Sequence, residues 1–330
     1  MKIGSLKLKS NVMAAPLAGY TDYSWRVIAV ECGSALVFSE MVPAEGLRRA
    51  KKRTLKYVAN SDSARPFSVQ LYGSRPESFA NAVDIIAPCK FDAIDINMGC
   101  PVRKITSRGE GAALMKEPKR VEEIITAIRK KYTGPLTVKF RSGWDDNTKN
   151  AVEIARIAEG AGADAVVVHP RTRMQVFTGH ADWSVIASVK DAVKIPVIGN
   201  GDVVDKKSAD EMFRIANCDA IMIGRAALGD PWLFSEIAGK KFPTGIEEKF
   251  RLIYRHIEIL IEREEKKYVV HMMRKFVPRY LKGVHGNREL AKIINSTLNL
   301  DIALDGIKTF EKSCKDGDRH AYHVGQTTVK

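Results

Sequence analysis

Ala93-Ile94-Asp95-Ile96-Asn97-Met98-Gly99-Cys100-Pro101 reads as a short buried strand that breaks into a tight loop. The apolar run is brief, and Gly99 and Pro101 end it abruptly; a run of that length between breakers suits a strand covered on both faces. Seven more runs of this kind occur. Before it stand Val12-Met13-Ala14-Ala15, Leu36-Val37-Phe38-Ser39 and Phe67-Ser68-Val69-Gln70-Leu71. After it come Leu136-Thr137-Val138-Lys139-Phe140-Arg141, Ala165-Val166-Val167-Val168-His169, Pro196-Val197-Ile198-Gly199-Asn200 and Ala220-Ile221-Met222-Ile223-Gly224. Between them lie amphipathic helical patterns, such as Arg120-Val121-Glu122-Glu123-Ile124-Ile125 and Ala151-Val152-Glu153-Ile154-Ala155. Apolar strands alternating with helices pair in parallel, with the helices outside and right-handed crossovers. Eight such units predict an α/β chain whose residues 1–240 form a (β/α)8 TIM barrel.

After Asp230-Pro231-Trp232 the rhythm changes. Apolar residues recur at helical spacing in Phe250-Leu252-Ile253-Ile257-Leu260-Ile261, in Met272-Met273-Phe276-Val277-Leu281 and in Leu290-Ile293-Ile294-Leu298, with no strand run among them. A small all-helical domain is predicted over residues 245–315, joined by a linker at 239–245. Residues 316–330 carry no periodicity and are expected to form a flexible tail.

No run approaches the roughly 18 apolar residues of a membrane span. The start, Met1-Lys2-Ile3-Gly4-Ser5-Leu6, lacks the apolar core of a signal peptide, so a cytoplasmic protein is expected. Five cysteines (Cys32, Cys89, Cys100, Cys218, Cys314) are widely spaced without a CxxC pair, which argues against a metal site and against disulfides. The formal charge is +14. From Gly239 onward 19 Lys and Arg face 12 Asp and Glu, a surplus of 7 that is half the total. A small metabolite does not need such a balance; a polyanion, nucleic acid first, does.

A barrel carries its chemistry at the carboxyl ends of its strands. There the chain places Pro16, Glu40, Gln70, Asn97, Lys139 with Arg141, His169, Asn200, and Gly224 with Arg225. Lys139 stands out, because a lysine within a buried strand is costly unless it meets an anion or faces a cavity. Cys100, wedged between Gly99 and Pro101, has no apolar face to complete, unlike most free cysteines. The last two strands end in Gly199-Asn200-Gly201-Asp202 and Gly224-Arg225-Ala226, where barrels often bind phosphate through backbone N–H groups. These loops lack a GxGxxG fingerprint, so the phosphate belongs to a cofactor other than a Rossmann-bound dinucleotide. Gln70, Lys139 and His169 are placed to address a planar heterocycle. An isoalloxazine gains negative charge at N1 and O2 on reduction, which a cation such as Lys139 stabilises.

These stretches, with Pro16-Leu17-Ala18-Gly19-Tyr20-Thr21-Asp22, Gly109-Glu110-Gly111-Ala112-Ala113-Leu114-Met115 and His169-Pro170-Arg171-Thr172-Arg173, resemble the tRNA-dihydrouridine synthases. Met273-Arg274-Lys275-Phe276-Val277-Pro278-Arg279-Tyr280 is similar to the C-terminal domain of that family, particularly its bacterial B branch. The resemblance spans roughly residues 3–300. It implies FMN held by Pro16, Leu17, Ala18, Gln70, Lys139, His169, Asn200, Gly201, Asp202, Gly224 and Arg225. It also implies Cys100 as general acid, with Asn97, Lys139, His169 and Arg171 facing the target uracil. Two positions depart from the family pattern: Leu17 stands where Met is common, and Pro170, which removes one backbone N–H, stands where Gly is common.

The resemblance implies FMN-dependent reduction of the C5=C6 bond of tRNA uridines, in the D-loop, with NADPH or NADH as transient electron donor. The chain shows no fingerprint that chooses between the two donors. A monomer is expected. A stacked uridine has to be extruded to reach the mouth. The helical domain, and the basic stretch Arg48-Arg49-Ala50-Lys51-Lys52-Arg53-Thr54-Leu55-Lys56, are expected to hold RNA beside it. Two rival readings are a flavin barrel acting on a free pyrimidine or dihydroorotate-like substrate, and a non-catalytic RNA-binding module.

Overall fold

The computed structural model describes residues 1–49 and 54–315. A short antiparallel hairpin, β1 (Lys2–Ile3) with β2 (Leu6–Lys7), precedes the barrel. The barrel strands are β3 (Val12–Ala14), β4 (Val37–Phe38), β6 (Phe67–Tyr72), β7 (Ala93–Met98), β8 (Leu136–Arg141), β9 (Ala165–His169), β10 (Val197–Asn200) and β11 (Ala220–Ile223). A two-residue strand, β5 (Val42–Pro43), adds to β6. Each of the eight runs legible in the sequence is one of these strands. All pairs within the barrel are parallel, from β4 through β6 to β11 and on to β3. The ring closes between β3 and β4, where the Ala14 N–H donates to the Leu36 carbonyl (3.1 Å) and the Ala35 N–H to that of Val12 (2.9 Å).

Strand register decides what fills the barrel. Ile3 of β1 and Leu8, just after β2, pack with Met13, Phe38, Val167, Ile198 and Met222 in a buried apolar cluster. The β6–β8 side is instead polar and rises in three rows. Gln70, Asp95 and Thr137 lie abreast, then Asn97 beside Lys139, then Arg141 beside His169. Side chains two apart on a strand share a face, so Thr137, Lys139 and Arg141 all project to the same side. Outer helices include Pro76–Ile86 and Pro118–Arg129, each with proline at its start, and Lys206–Ala216, opened by a capping box between Asp205 and Ser208.

The chain divides into two compact units: Met1–Ala227 with Trp232–Lys240, and Leu228–Pro231 with the residues from Lys241 onward. In the second unit lie the helices Ile246–Ile261, Lys266–Tyr280, Asn287–Ser296 and Leu300–Lys315. Phe250, Ile257, Phe276, Ile294 and Ile307 are buried in it, and the ring nitrogen Nδ1 of buried His256 bonds the Tyr280 hydroxyl at 2.9 Å. The sequence reading did not resolve the last helix. Its buried residues Leu300, Ala303 and Ile307 form a sparse stripe, and Leu298, expected in the apolar pattern, is 56% exposed. Among the described residues no helix is long and apolar enough to cross a membrane. The expected tail, 316–330, lies outside the described residues.

Candidate active site

One chain of hydrogen bonds links the barrel interior to the loop that carries Cys100. Asp95, fully buried, accepts from the Thr137 hydroxyl and from Gln70 Nε2 (2.6 Å). The amide orientation of Gln70 is thereby set, and its Oε1 accepts from Asn97 Nδ2 at 2.9 Å. Asn97 Oδ1 then faces the loop and accepts from the N–H groups of Gly99 (3.2 Å) and Cys100 (2.9 Å). The break after β7 is therefore a turn closed by an Asn side chain, and it holds Cys100 at the strand end, half-buried. On its far side, Gly111 has φ +59, and a Cβ there would lie 2.9 Å from the Cys100 carbonyl oxygen and 3.1 Å from its Cβ. Glycine is required at that position on both counts.

The cations come from β8. Lys139 Nζ donates to Asn200 Oδ1 at 2.7 Å, and Asn200 Nδ2 donates to the Met222 carbonyl at 2.8 Å. Burial, with Arg141 nearby, lowers the Lys139 ammonium to about 8 although Asp95 works against the shift. Burial raises Asp95 to about 6 against the pull of Thr137, Gln70 and Lys139. Arg141 spans two loops: its Nε donates to the Gly99 carbonyl (2.8 Å), and its Nη1 to those of Thr172 (2.9 Å) and Val176 (3.0 Å). Burial also lifts the Cys100 thiol above its ordinary value, with the Val102 backbone and Arg141 opposing. The group is a thiol, not a thiolate, at neutral pH. Burial and the surrounding cations hold His169 well below the usual imidazole range. Its Nδ1 accepts from the Arg171 N–H at 3.3 Å, which leaves the ring proton on Nε2.

Arg171, expected to face the substrate, and Asp202, expected at the cofactor, are ion-paired with each other. Arg171 donates to both Asp202 oxygens (2.8 and 2.6 Å), to the Thr178 carbonyl (3.0 Å) and to that of Gly179 (2.6 Å), and it is 2% exposed. A guanidinium with its donors so engaged braces the rim loop. Asp202 also accepts from the Ala181 N–H at 2.8 Å. This ion pair holds Asp202 at φ +60, beside Gly201 at φ +133. Arg225 is exposed, 3.9 Å from Asp202.

The remaining expected positions come together at neighbouring strand ends. The Ala15 N–H donates to the Ile223 carbonyl (2.8 Å), so the Pro16-Leu17-Ala18 loop starts beside Gly224. A Cβ at Gly224 would meet the Ala15 Cβ at 3.7 Å, an ordinary contact, and Gly201 packs its backbone against Ala181 and His169. These two backbone-lined strand ends, with a buried ammonium held by a neutral amide oxygen, fit a phosphate-bearing group with an electron-accepting ring. Arg141, placed at its strand end with Lys139, and Asp95, given no role from the sequence, both bond into the site. The sequence signal for Arg141 was its place at the carboxyl end of a strand. No comparable signal marked Asp95, since a carboxylate there has meaning only once β6 and β8 lie on either side. In the basic stretch, Arg48 and Arg49 pair with Glu45 at 2.7 and 2.8 Å; residues 50–53 lie outside the described residues.

Comparison with known proteins bears on this geometry. Residues 13–313 match the family described as dihydrouridine synthase (Dus). A probable tRNA-dihydrouridine synthase of Rickettsia conorii is 37% identical over 302 residues, covering 89% of this chain and 91% of its own. The tRNA-dihydrouridine synthase B of Pasteurella multocida is 36% identical over 315 residues, covering 93% of this chain and 95% of its own. Among solved structures, a 2-naphthoyl-CoA reductase complex superposes with a TM-score of 0.57 at 12% identity, over 73% of this chain and 52% of that one. Histamine dehydrogenase from Rhizobium sp. 4-9 gives 0.55 at 16%, over 78% and 50%. The chain spans about half the length of each of these two, and the likeness is one of fold.

Proposed function

The chain belongs to the dihydrouridine synthase family, and from that premise we propose that it reduces the C5=C6 bond of uridines in tRNA, those of the D-loop, to 5,6-dihydrouridine. The cofactor is FMN, reduced by NADPH or NADH, and the protein works as a cytoplasmic monomer. The observation that carries the reading is the Cys100 loop fixed at a barrel rim by Asn97 and Arg141, on the side of the barrel that also carries buried Lys139 and His169.

FMN would be held by Lys139, His169, Gln70, Asn200, the backbone at Gly201 and Gly224, the Pro16–Ala18 loop and Arg225. When bound, it accepts two electrons from the nicotinamide and supplies a hydride for C6 of the uracil. The chain's own groups do the rest. Cys100 Sγ holds the proton required at C5, where reduction at C6 leaves an electron pair. An acid that stays protonated at neutral pH contributes typically 10²–10⁴-fold. The Lys139 ammonium and the His169 Nε2–H are the groups that stabilise charge building on the carbonyl oxygens. Asp202 joins the groups that would hold FMN and Arg171 those that face the uracil, their ion pair bracing the rim; Asn97 orients the thiol loop.

The decisive experiment is mass mapping of dihydrouridine in tRNA from cells lacking this protein, with reconstitution by the purified flavin-loaded enzyme. Loss of the modification at defined positions, restored by the enzyme, is expected. An unchanged modification map, or a colourless purified protein, sinks the reading.

A further inference from the structure

Between β9 and the helix Ser184–Ala192 the chain crosses the rim as residues 170–183, and buried arginines pin it from below. Arg141 binds the carbonyls of Thr172 and Val176; Arg171 binds those of Thr178 and Gly179. Thr172 and Gln175 close a turn on each other, the Thr172 N–H donating to Gln175 Oε1 at 2.7 Å. Next comes Val176 at φ +49. A β-branched residue takes that conformation only where its surroundings compel it.

The effect of this bracing is to hold an aromatic ring outward. Phe177 is 52% exposed, beside Met174 at 57% and Val176 at 38%. The guanidinium carbons of Arg225 and Arg141 lie 4.9 and 5.9 Å from its ring centroid. A second ring on the same rim, Trp144, has Arg173 at 4.8 Å and Lys116 at 4.9 Å. An exposed ring and a half-buried one, both flanked by cations, suit a partner that carries both negative charge and flat π-faces, which is a nucleic-acid strand. Arg141 also binds the Gly99 carbonyl, so Phe177 stands one guanidinium away from the Cys100 loop.

We propose that Phe177 is a stacking platform for the RNA base that flanks the target uridine. Taking one base out of a helix leaves its neighbour with an uncovered face, and Phe177 covers it. The rigid Val176 turn presents the ring before RNA arrives. This inference rests on the function proposed above.

The test compares full-length, flavin-loaded wild type with Phe177→Ala, Phe177→Leu and Phe177→Trp on an unmodified tRNA transcript. The expected result is a KM for tRNA raised roughly tenfold or more in the Ala and Leu variants and restored by Trp, since stacking and not mere bulk is required. Flavin content and melting temperature serve as controls, and the Leu–Trp pair carries the comparison should Ala fail to fold. A wild-type KM in both Ala and Leu overturns the platform; if those variants instead abolish self-association in light scattering, the patch is a contact between copies of the chain. Wild-type protein that leaves the transcript unreduced refutes the function proposed above, a different failure from an unchanged KM.

Discussion

In the proposed reaction the thiol that gives up a proton must keep it until then, and burial favours that at Cys100 by raising its pKa. Replacing Cys100 with Ala is expected to slow uridine reduction by about 10²-fold or more while the nicotinamide still reduces the flavin; rapid-mixing absorbance separates the two steps. The supporting groups give a pH signature. Asp95 must be ionised to accept from both Thr137 and Gln70, and its pKa is raised to about 6, so the bond chain to Cys100 is lost as pH falls through 6. Lys139 must be charged, and its pKa is lowered to about 8, so charge stabilisation is lost as pH rises through 8. Single-turnover reduction is expected to follow a bell between these limbs. Asp95→Asn removes the acid limb and lowers the rate across the range, because an amide offers one acceptor where two are used. An unaltered acid limb in that variant argues against the chain of bonds from Asp95 to Asn97.

Within the β7 element, strand and loop divide the labour. Asp95 and Asn97 point inward from the strand, and the Gly99–Pro101 turn lifts Cys100 to the rim. The later segment Gly109-Glu110-Gly111 closes over the turn, with the Ala112 N–H donating to the Cys100 carbonyl at 3.1 Å. Gly111→Ala adds a methyl against backbone at φ +59, which is expected to destabilise by about 1–3 kcal/mol and to displace the thiol. Thermal melting and turnover should fall together, more steeply for turnover. On β8, Lys139 and Arg141 were legible as cations at the carboxyl end of a strand. That Arg141 fastens Gly99 to Thr172 and Val176 was not legible, because those carbonyls are far apart in the chain and meet only around a guanidinium.

For the whole molecule, the surplus of positive charge is the property that counts. The helical unit exposes Lys266, Lys267, Lys282, Arg288 and Lys292. Each phosphate neutralised contributes about −0.9 to the slope of log affinity against log salt. Affinity for tRNA is thus expected to fall at least about tenfold when salt rises fourfold, as two or more such contacts require. Filter binding or fluorescence anisotropy measures this, and a salt-independent affinity would contradict a phosphate-led interface.

Alternation of short apolar runs with amphipathic helices determined the barrel, because burial of both strand faces leaves parallel pairing under helices as its outlet. Composition pointed to a polyanionic partner, and the family resemblance to Cys100 as the acid. The tertiary structure decided the rest. It paired Arg171 with Asp202 across 31 residues of chain, which neither residue's place in the sequence announces. Asp95, silent in the sequence, sets the orientation of two amides and through them the thiol. Those outcomes depend on which donors and acceptors come within 3 Å of one another, and strand register, not local sequence, sets that distance.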